Sequence, residues 1–330
     1  MGRQTEVMEP GGTAFFVGSR PQVMWAWDLD DRNLRFLRGI DPGYFTHIAS
    51  SQGELLESDS RHFAAAALRV AYGQALETLF ALAAAALQAP QCVVGWMLSY
   101  RNDELFEVVR GMTTGQPGVP RDPSVADPSI DALAASVMNA TQYEQDKRDQ
   151  LARNFARIWR RWSSEFLDER ATSEYNSFKH GMRASLGGFN LAIGPEEVPG
   201  VPAAPETMRS LGGSIFGSTF YCAEQLDGRL HQFPRRTMRN WSPIGMAHGL
   251  QLMAMSIQNI VSYLRIIGGD KPESCRFNTP LDSDAFDAPW REPIGVMYVN
   301  MDKIVRRDQI QPLTRDEVIS LLAQTSRDEQ

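Results

Sequence analysis

The stretch ELLESDSRHFAAAALRVAYGQALETLFALAAAALQA, residues 54–89, carries the longest helical pattern in the sequence. Its apolar side chains recur near the spacing of one helix face, and alanine runs at 64–67 and 83–86 add helix propensity. Alanine also presents a small surface, which lets a second helix approach closely. The stretch therefore predicts a long helix at the centre of a bundle, ended by Pro90.

Two more segments, 130–184 and 244–267, show helical spacing. The first begins after Ser129 or Asp131, either of which is a suitable N-cap. Its apolar stripe consists of Leu151, Phe155, Ile158, Trp162 and Phe166. The second ends at Gly268-Gly269. Between the two segments, 214–226 and 230–241 flank Asp227-Gly228, which predicts a β-hairpin.

The remaining segments are shorter. Residues 1–52 are expected to be irregular, with short strands at 13–17 and 34–37. Near the C-terminus, 294–301 predicts a strand and 315–323 a helix, with Thr314 and Glu317 as its capping box. We predict a mainly α fold: a helical bundle (53–192 plus 243–268), an inserted β-hairpin (205–242) and a small C-terminal α/β extension (270–330).

Composition excludes several classes of protein. With 330 residues, 43% of them apolar, the chain can bury a large core, which argues against global disorder. A net charge of −7 argues against a coat of nucleic acid. The apolar stretch 79–98 is interrupted by Pro90, and the N-terminus lacks a signal-peptide pattern, so no membrane span is expected. We predict a cytoplasmic protein.

Cysteine and histidine usage indicates no metal or cofactor. The three cysteines, Cys92, Cys222 and Cys275, are far apart and odd in number, so they are expected to remain thiols. The five histidines show no metal-ligand spacing. The sequence therefore predicts neither a metal site nor a bound cofactor.

The segment EYNSFKHGMR, residues 174–183, is the main candidate site. On a helix, Asn176, His180 and Arg183 share one face, with Tyr175 and Lys179 beside them. Histidine can act as acid or base near neutral pH, and Arg or Lys can hold a phosphate. The alternative is that His180 and Arg183 only close the helix, because cations suit a helix C-terminus.

Part of this segment resembles a known family. The run YNSFKHG, 175–181, with a long helix upstream, resembles the second-helix motif of bacterial HEPN-type proteins. The stretch LETLFALAAAALQAPQCVVGW, 76–96, is similar to uncharacterised bacterial helical proteins with the same pair of segments. The resemblance implies an RNA-directed nuclease or a nucleotide-associated module, with His180 as acid or base and Arg183 or Lys179 on phosphate.

This sequence also departs from the family motif. Active HEPN members carry an Arg that four to six residues separate from the His (R-x4–6-H). Ser173, Glu174 and Tyr175 stand where that Arg is needed, and Arg170 lies too far upstream of His180. The departure favours a protein without nuclease activity.

The run RNFARIWRRW, residues 153–162, is a second candidate. Its arginines form one basic stripe at helical spacing, with tryptophans beside it: Arg153, Arg157, Arg160 and Arg161. Such stripes bind RNA through phosphate contacts and stacking. The alternative is a solvated helix face whose arginines pair with Asp149, Glu165 or Asp168.

Two functions remain open at this level. The first is a non-catalytic binding or regulatory helical protein whose partner is unknown. The second is a HEPN-like RNA-directed nuclease that uses His180. The missing upstream Arg favours the first. A protein partner, RNA on the Arg153–Trp162 stripe and a homodimer all stay open as partners.

Overall fold

The computed structural model describes residues 11–116, 118–196, 198–201, 203–227, 230–292, 294–301 and 306–328. Helix makes up 56% of the structure, which confirms the mainly α fold class. The chain divides into two compact units: Met1–Thr172 with Pro243–Pro293, and Ser173–Ser242 with Ile294–Gln330. These limits differ from the predicted domains, because the first unit includes the N-terminal segment and ends at Thr172.

The first unit holds most of the helices. Its described elements are β1 (Gly11–Val17), β2 (Arg20–Ala26), α1 (Leu29–Gly39), α2 (Gly43–Glu54), α3 (Arg61–Gln88), α4 (Val93–Ser99), α5 (Asn102–Thr114), α6 (Ile130–Asn139), α7 (Gln145–Phe166) and, later in the chain, α9 (Pro243–Ile267). Short 3-10 turns lie at Leu55–Glu57, Pro272–Ser274 and Ser283–Trp290. Helix α8 (Glu169–Lys179) begins in this unit and continues into the second.

The N-terminal segment is more regular than predicted. The expected strand at 13–17 lies in β1 and is confirmed. The expected strand at 34–37 is wrong, because these residues lie in α1. Leu29, Asn33 and Leu37 are buried at successive intervals of four residues, which is the period of a helix face. The run 34–37 was too short to show that period.

Helix α3 is buried along most of its length. It begins at Arg61 instead of residue 54, because α2 forms a separate helix upstream. It ends at Gln88, before Pro90, as predicted. Helix α9 packs closely against it, since a Cβ on Gly249 would lie 2.7 Å from the Tyr72 ring. Although α3 is long and apolar enough to cross a membrane, 78% of its most apolar window is buried, as in the core helix of a soluble protein.

Helices α6 and α7 follow the sequence pattern closely. The Ser129 hydroxyl accepts the N–H of Ala132 (3.2 Å), so Ser129 is the N-cap of α6. On α7 the predicted stripe is buried from Leu151 to Trp162. The predicted segment 130–184, however, contains three helices and ends at Lys179. Ala184 already belongs to a strand.

The second unit combines small antiparallel sheets with the end of α8. Its described strands and remaining helices are β3 (Ala184–Leu186), β4 (Asn190–Ile193), β5 (Arg209–Gly213), β6 (Gly217–Asp227), β7 (His231–Asn240), β8 (Tyr298–Asn300), α10 (Arg315–Asp328) and the 3-10 turns Pro205–Thr207 and Arg307–Gln309. One sheet has the order β3-β6-β7-β8, and β4 pairs with β5. Gly228, in the predicted turn between β6 and β7, lies outside the described residues.

Two local predictions in the second unit can be compared with the structure. Strand β8 occupies part of the expected strand 294–301 and pairs with β7. Helix α10 begins at Arg315, where the N–H of Thr314 donates to the Glu317 carboxylate (2.7 Å) and the N–H of Glu317 lies 3.4 Å from the Thr314 hydroxyl. The capping box is therefore confirmed, although the helix extends beyond the predicted end to Asp328.

Candidate functional site

The 174–183 segment forms the last turns of α8 and the bend after it. The N–H of His180 donates to the Asn176 carbonyl (3.0 Å), which closes the helix. The N–H of Arg183 then donates to the Ser177 carbonyl (2.7 Å), and the Arg183 guanidinium lies 3.5 Å from the Asn176 carbonyl oxygen. The structure thus brings Asn176, His180 and Arg183 to one place, at the C-terminal end of α8.

The basic side chains of this segment are exposed. Lys179, His180 and Arg183 all face solvent, and the Lys179 ammonium lies 5.6 Å from the centre of the Tyr175 ring. Within the described part of the chain, no side chain hydrogen-bonds to the His180 imidazole. An imidazole without such a partner has nothing to fix its tautomer for acid–base work. The geometry matches the alternative of cations at a helix C-terminus.

The residue in this segment with the richest contacts is Glu174, which the sequence analysis did not select. Its side chain is fully buried. Ser218 Oγ (2.5 Å) and Trp241 Nε1 (2.8 Å) donate to Glu174 Oε1, while Arg239 Nη1 donates to Oε2 (2.8 Å). The Arg239 guanidinium also lies 5.0 Å from the centre of the Tyr298 ring.

This buried cluster joins α8 to β6 and β7. A buried carboxylate is tolerated only when it is paired and hydrogen-bonded, and Glu174 meets both conditions through Arg239, Ser218 and Trp241. These three side chains donate to both of its oxygens. The cluster therefore explains how the 174–183 segment is held on the sheet of the second unit, and it does not provide an open reactive group.

The arginine stripe on α7 is largely engaged within the first unit. Arg157 forms an ion pair with Asp287, and Arg160 Nη2 lies 2.8 Å from Asp131. Arg161 stacks 4.1 Å from the centre of the Trp290 ring. Arg153 is exposed.

The tryptophans beside the stripe lie in the core. Trp159 donates from Nε1 to Ser256 Oγ (2.9 Å), and Trp162 is fully buried. The acidic residues that pair with the stripe differ from the expected ones. Asp131 and Asp287 pair with its arginines. Glu165, one of the expected partners, accepts a hydrogen bond from Tyr72 (2.9 Å). RNA binding by the stripe stays a prediction.

A surface that the sequence analysis did not identify lies on the β1–β2 hairpin. The strands pair around the two-residue turn Gly18–Ser19, so alternate side chains point to opposite faces. One face is buried and includes Phe15 and Val17. The other is apolar and open to solvent, with Trp25 67% exposed. We term this surface the hairpin face and define it by five residues: Ala14, Phe16, Pro21, Val23 and Trp25.

Gln88, at the end of α3, holds the hairpin in place. Its Oε1 accepts the N–H of Gly18 (2.9 Å) and the indole N–H of Trp96 (3.0 Å). Its Nε2 donates to the carbonyls of Gly18 (2.8 Å) and Pro120 (2.7 Å). Because Gln88 is fully buried, these bonds are shielded from water and fix the turn against the helical core.

A second contact near the turn fixes the start of β2. Arg20 donates from Nε (2.9 Å) and Nη2 (3.1 Å) to the Glu104 carboxylate, which is 7% exposed. Glu104 also accepts the N–H of Arg101 (2.9 Å) at the start of α5. The hydrogen bond from Arg20 is the main reason why the pKa of Glu104 is lowered, while burial opposes the shift. The hairpin is thus anchored by one amide and one ion pair.

A cavity of about 580 Å³ adjoins the hairpin face. Four residues of the face line it, together with Phe15, Gln22, Gln88, Arg121, Asp122 and Pro123. The volume lies within the range of about 300–1,000 Å³ that is typical of small-ligand pockets. Its polar residues are partly engaged, since Arg121 Nε donates to the Val125 carbonyl (2.8 Å) and Asp122 accepts the N–H of Ser124 (2.9 Å). The cavity therefore suits an apolar group.

Reactive side chains are sparse in the part of the chain that the structure describes. There, no group of three or more His, Cys, Asp or Glu residues is placed to hold a metal ion. The three cysteines are free, and burial raises the pKa of the Cys92 thiol. In comparisons with protein families, curated proteins and solved structures, nothing matches this chain.

Proposed function

We propose that this protein is a non-catalytic, cytoplasmic binding protein whose helical bundle presents the hairpin face to a protein partner. The observation that supports it is the hairpin face itself. Five neighbouring residues on a two-stranded ribbon are apolar, and Trp25, Val23 and Phe16 are 67%, 51% and 37% exposed. Contiguous exposed apolar patches of this kind are typical of interaction sites.

The surroundings of the face support binding instead of accidental exposure. Gln88 and Glu104 hold the turn and the start of β2 by several hydrogen bonds, so the face is presented in one conformation. A pre-organised surface loses little conformational entropy when a partner binds. The adjoining cavity, about 580 Å³, has room for an apolar side chain of that partner.

The HEPN-like nuclease stays a prediction beside this proposal. What favours it is the grouping of Lys179, His180 and Arg183 at the end of α8. In that alternative, His180 would act as acid or base and the neighbouring cations would hold phosphate. The exposure of His180, and the engagement of Glu174 by Arg239, give this grouping less support than the hairpin face has.

Binding of the apolar dye anilinonaphthalene sulfonate to the full chain tests the proposal. We expect saturable binding that Val23→Gln weakens about tenfold, because the loss of one buried valine contact is worth roughly 1.5 kcal/mol. A neutral substitution is chosen so that the charge of the dye plays no part.

Leu98→Gln is the matched control for the dye experiment. Leu98 is 74% exposed on α4 and does not belong to the hairpin face. We expect this variant to bind the dye as the parent does. Equal affinities for the parent and Val23→Gln, or equal losses in both variants, would overturn the proposal.

A further inference from the structure

The four-stranded sheet of the second unit has one covered face and one open face. Alternate residues of its strands point to opposite sides. On the covered face, Ser218 and Arg239 are buried against Glu174 of α8. We term the opposite side the outer sheet face and define it by six residues that are paired across the strands: Ser185, Thr219, Tyr221, Arg236, Met238 and Val299.

Tyr221 is the exposed aromatic residue of the outer sheet face. Its side chain is 60% exposed. Within the described part of the chain, its hydroxyl forms no hydrogen bond and its ring stacks on no other ring. The ring therefore presents a flat apolar surface to solvent, and such a surface is suited to stacking with a planar group.

Two exposed arginines flank Tyr221 across the sheet. Arg236 lies directly opposite it on β7. The register of β3 with β6, extended by one residue, places Arg183 beside it on the other side. Arg183 Nη2 lies 3.5 Å from the Asn176 carbonyl oxygen, and its other guanidinium nitrogens have no partner among the described residues. Because neighbouring strands are about 4.8 Å apart, both guanidinium groups lie within reach of a ligand stacked on Tyr221.

The charge of the outer sheet face has one sign. The outer positions of its four strands, as far as the structure describes them, include no Asp or Glu. Glu224 points to the opposite side of β6 and pairs with Arg235. The second unit contains as many basic as acidic residues, so the net charge of −7 belongs to the first unit. The outer sheet face is therefore complementary to an anion although the whole chain is acidic.

We propose that the outer sheet face binds single-stranded nucleic acid, with a base stacked on Tyr221 and the adjacent phosphates held by Arg183 and Arg236. An aromatic ring between cations is the combination by which proteins bind single strands with little preference for sequence. A lipid headgroup or a free phosphate would use the arginines and leave the ring without a role. The inference goes beyond the proposed function and does not depend on it, because the hairpin face belongs to the first unit.

Fluorescence anisotropy of labelled oligouridylate and oligothymidylate, each about twelve nucleotides long, tests this inference on the full chain. Binding of either strand supports it, and the tighter of the two identifies the source. We expect Tyr221→Ala to weaken binding about tenfold, because it removes one stacked base. Tyr221→Phe keeps the ring and should bind within about twofold of the parent. No binding at about 100 μM protein, or equal affinities of the parent and Tyr221→Ala, would overturn the inference.

The salt dependence of binding tests the role of the arginines. Each phosphate contact on a single strand contributes about 0.7 to the slope of log K against log salt concentration. Arg236→Gln should weaken binding and reduce that slope by about this amount. Arg235→Gln is the matched control, since it removes the same charge one residue away, on the opposite face, where Arg235 pairs with Glu224. Equal effects of the two substitutions would show that only net charge matters, which contradicts the proposed site.

Three further results would assign the binding elsewhere and overturn the inference. The first is that Arg153→Gln on α7 weakens binding whereas Tyr221→Ala does not. The second is that a duplex of the same length competes as well as the single strand, because its bases are already stacked. The third is binding to phosphatidylserine vesicles without binding to either oligonucleotide. Val23→Gln is expected to leave oligonucleotide binding unchanged, so this inference and the proposed function can fail separately.

Discussion

At the scale of single residues, the surroundings of His180 favour the binding protein over the nuclease. Its backbone closes α8 and its side chain faces solvent beside Arg183. A side chain in this position contributes little to the free energy of unfolding. Among the described residues, no side chain hydrogen-bonds to it and fixes its orientation. Glu174, six residues earlier, is buried and bonded by Arg239. The buried contacts of this segment are therefore made by the carboxylate of Glu174 and not by the imidazole of His180.

We expect the parent and His180→Ala to cleave RNA equally, or neither of them to cleave it. The variant should lose less than about 1 kcal/mol of unfolding free energy, because an exposed side chain at a helix C-terminus contributes no more than that. Incubation of labelled single-stranded RNA with both proteins checks the first point, and urea unfolding checks the second. If the parent cleaves RNA and His180→Ala does not, the nuclease becomes the better supported function.

At the scale of elements, the long helices are the best predicted parts of the fold. The end of α3 at Gln88, the N-cap at Ser129 and the end of α9 before Gly268 follow from local chemistry: proline, a capping hydroxyl and glycine. These signals lie within a few residues of the boundary that they set. They are therefore readable without knowledge of the tertiary contacts.

The hairpin face and the Glu174 cluster could not be located in the same way. The sequence predicted only a short strand at 13–17 within an irregular segment, and it did not say which face of that strand is buried. That choice depends on Gln88, which is 70 residues away in sequence. Burial of Glu174 likewise depends on Arg239, which is 65 residues away. The interval Ala171, Glu174, Phe178 was the available local signal, since it places a carboxylate within an apolar helix stripe.

The anchor of the hairpin on α5 predicts a pH dependence. The hydrogen bond from Arg20 lowers the pKa of Glu104 in the folded protein. The contribution of this ion pair to the free energy of unfolding is therefore complete above the pKa of glutamate in the unfolded chain, about 4.3. It is lost as the pH falls through the folded pKa. The difference in unfolding free energy between the parent and Glu104→Gln should therefore be constant from about pH 7 to 5 and shrink below about pH 4.

Urea unfolding at several pH values measures this difference. In the Arg20→Met background the main cause of the lowered pKa is absent, so the effect of Glu104→Gln should depend less on pH. A difference that stays constant down to about pH 3 in the parent background would show that Arg20 does not lower this pKa in solution.

At the scale of the whole molecule, each compact unit has its own buried polar anchor. Gln88 bonds to Gly18, Trp96 and Pro120 within the first unit, and Glu174 bonds to residues of the second. The chain passes between the units more than once, so sequence position alone does not separate them. A perturbation in one anchor should act mainly on its own unit, because the hydrogen bonds of each anchor lie within that unit.

We therefore expect differential scanning calorimetry to resolve two transitions and each variant to lower one of them. Glu174→Gln leaves Arg239 buried without its counter-charge, which costs about 3–5 kcal/mol, or roughly 10 °C or more in one transition. Gln88→Leu leaves buried backbone groups unpaired at about 1–3 kcal/mol each and should lower the other transition. Glu224→Gln, which breaks a half-exposed pair with Arg235 on the same sheet as Arg239, is the control and should cost less than about 1 kcal/mol. A single transition that Glu174→Gln and Gln88→Leu lower alike would show that the two units unfold as one.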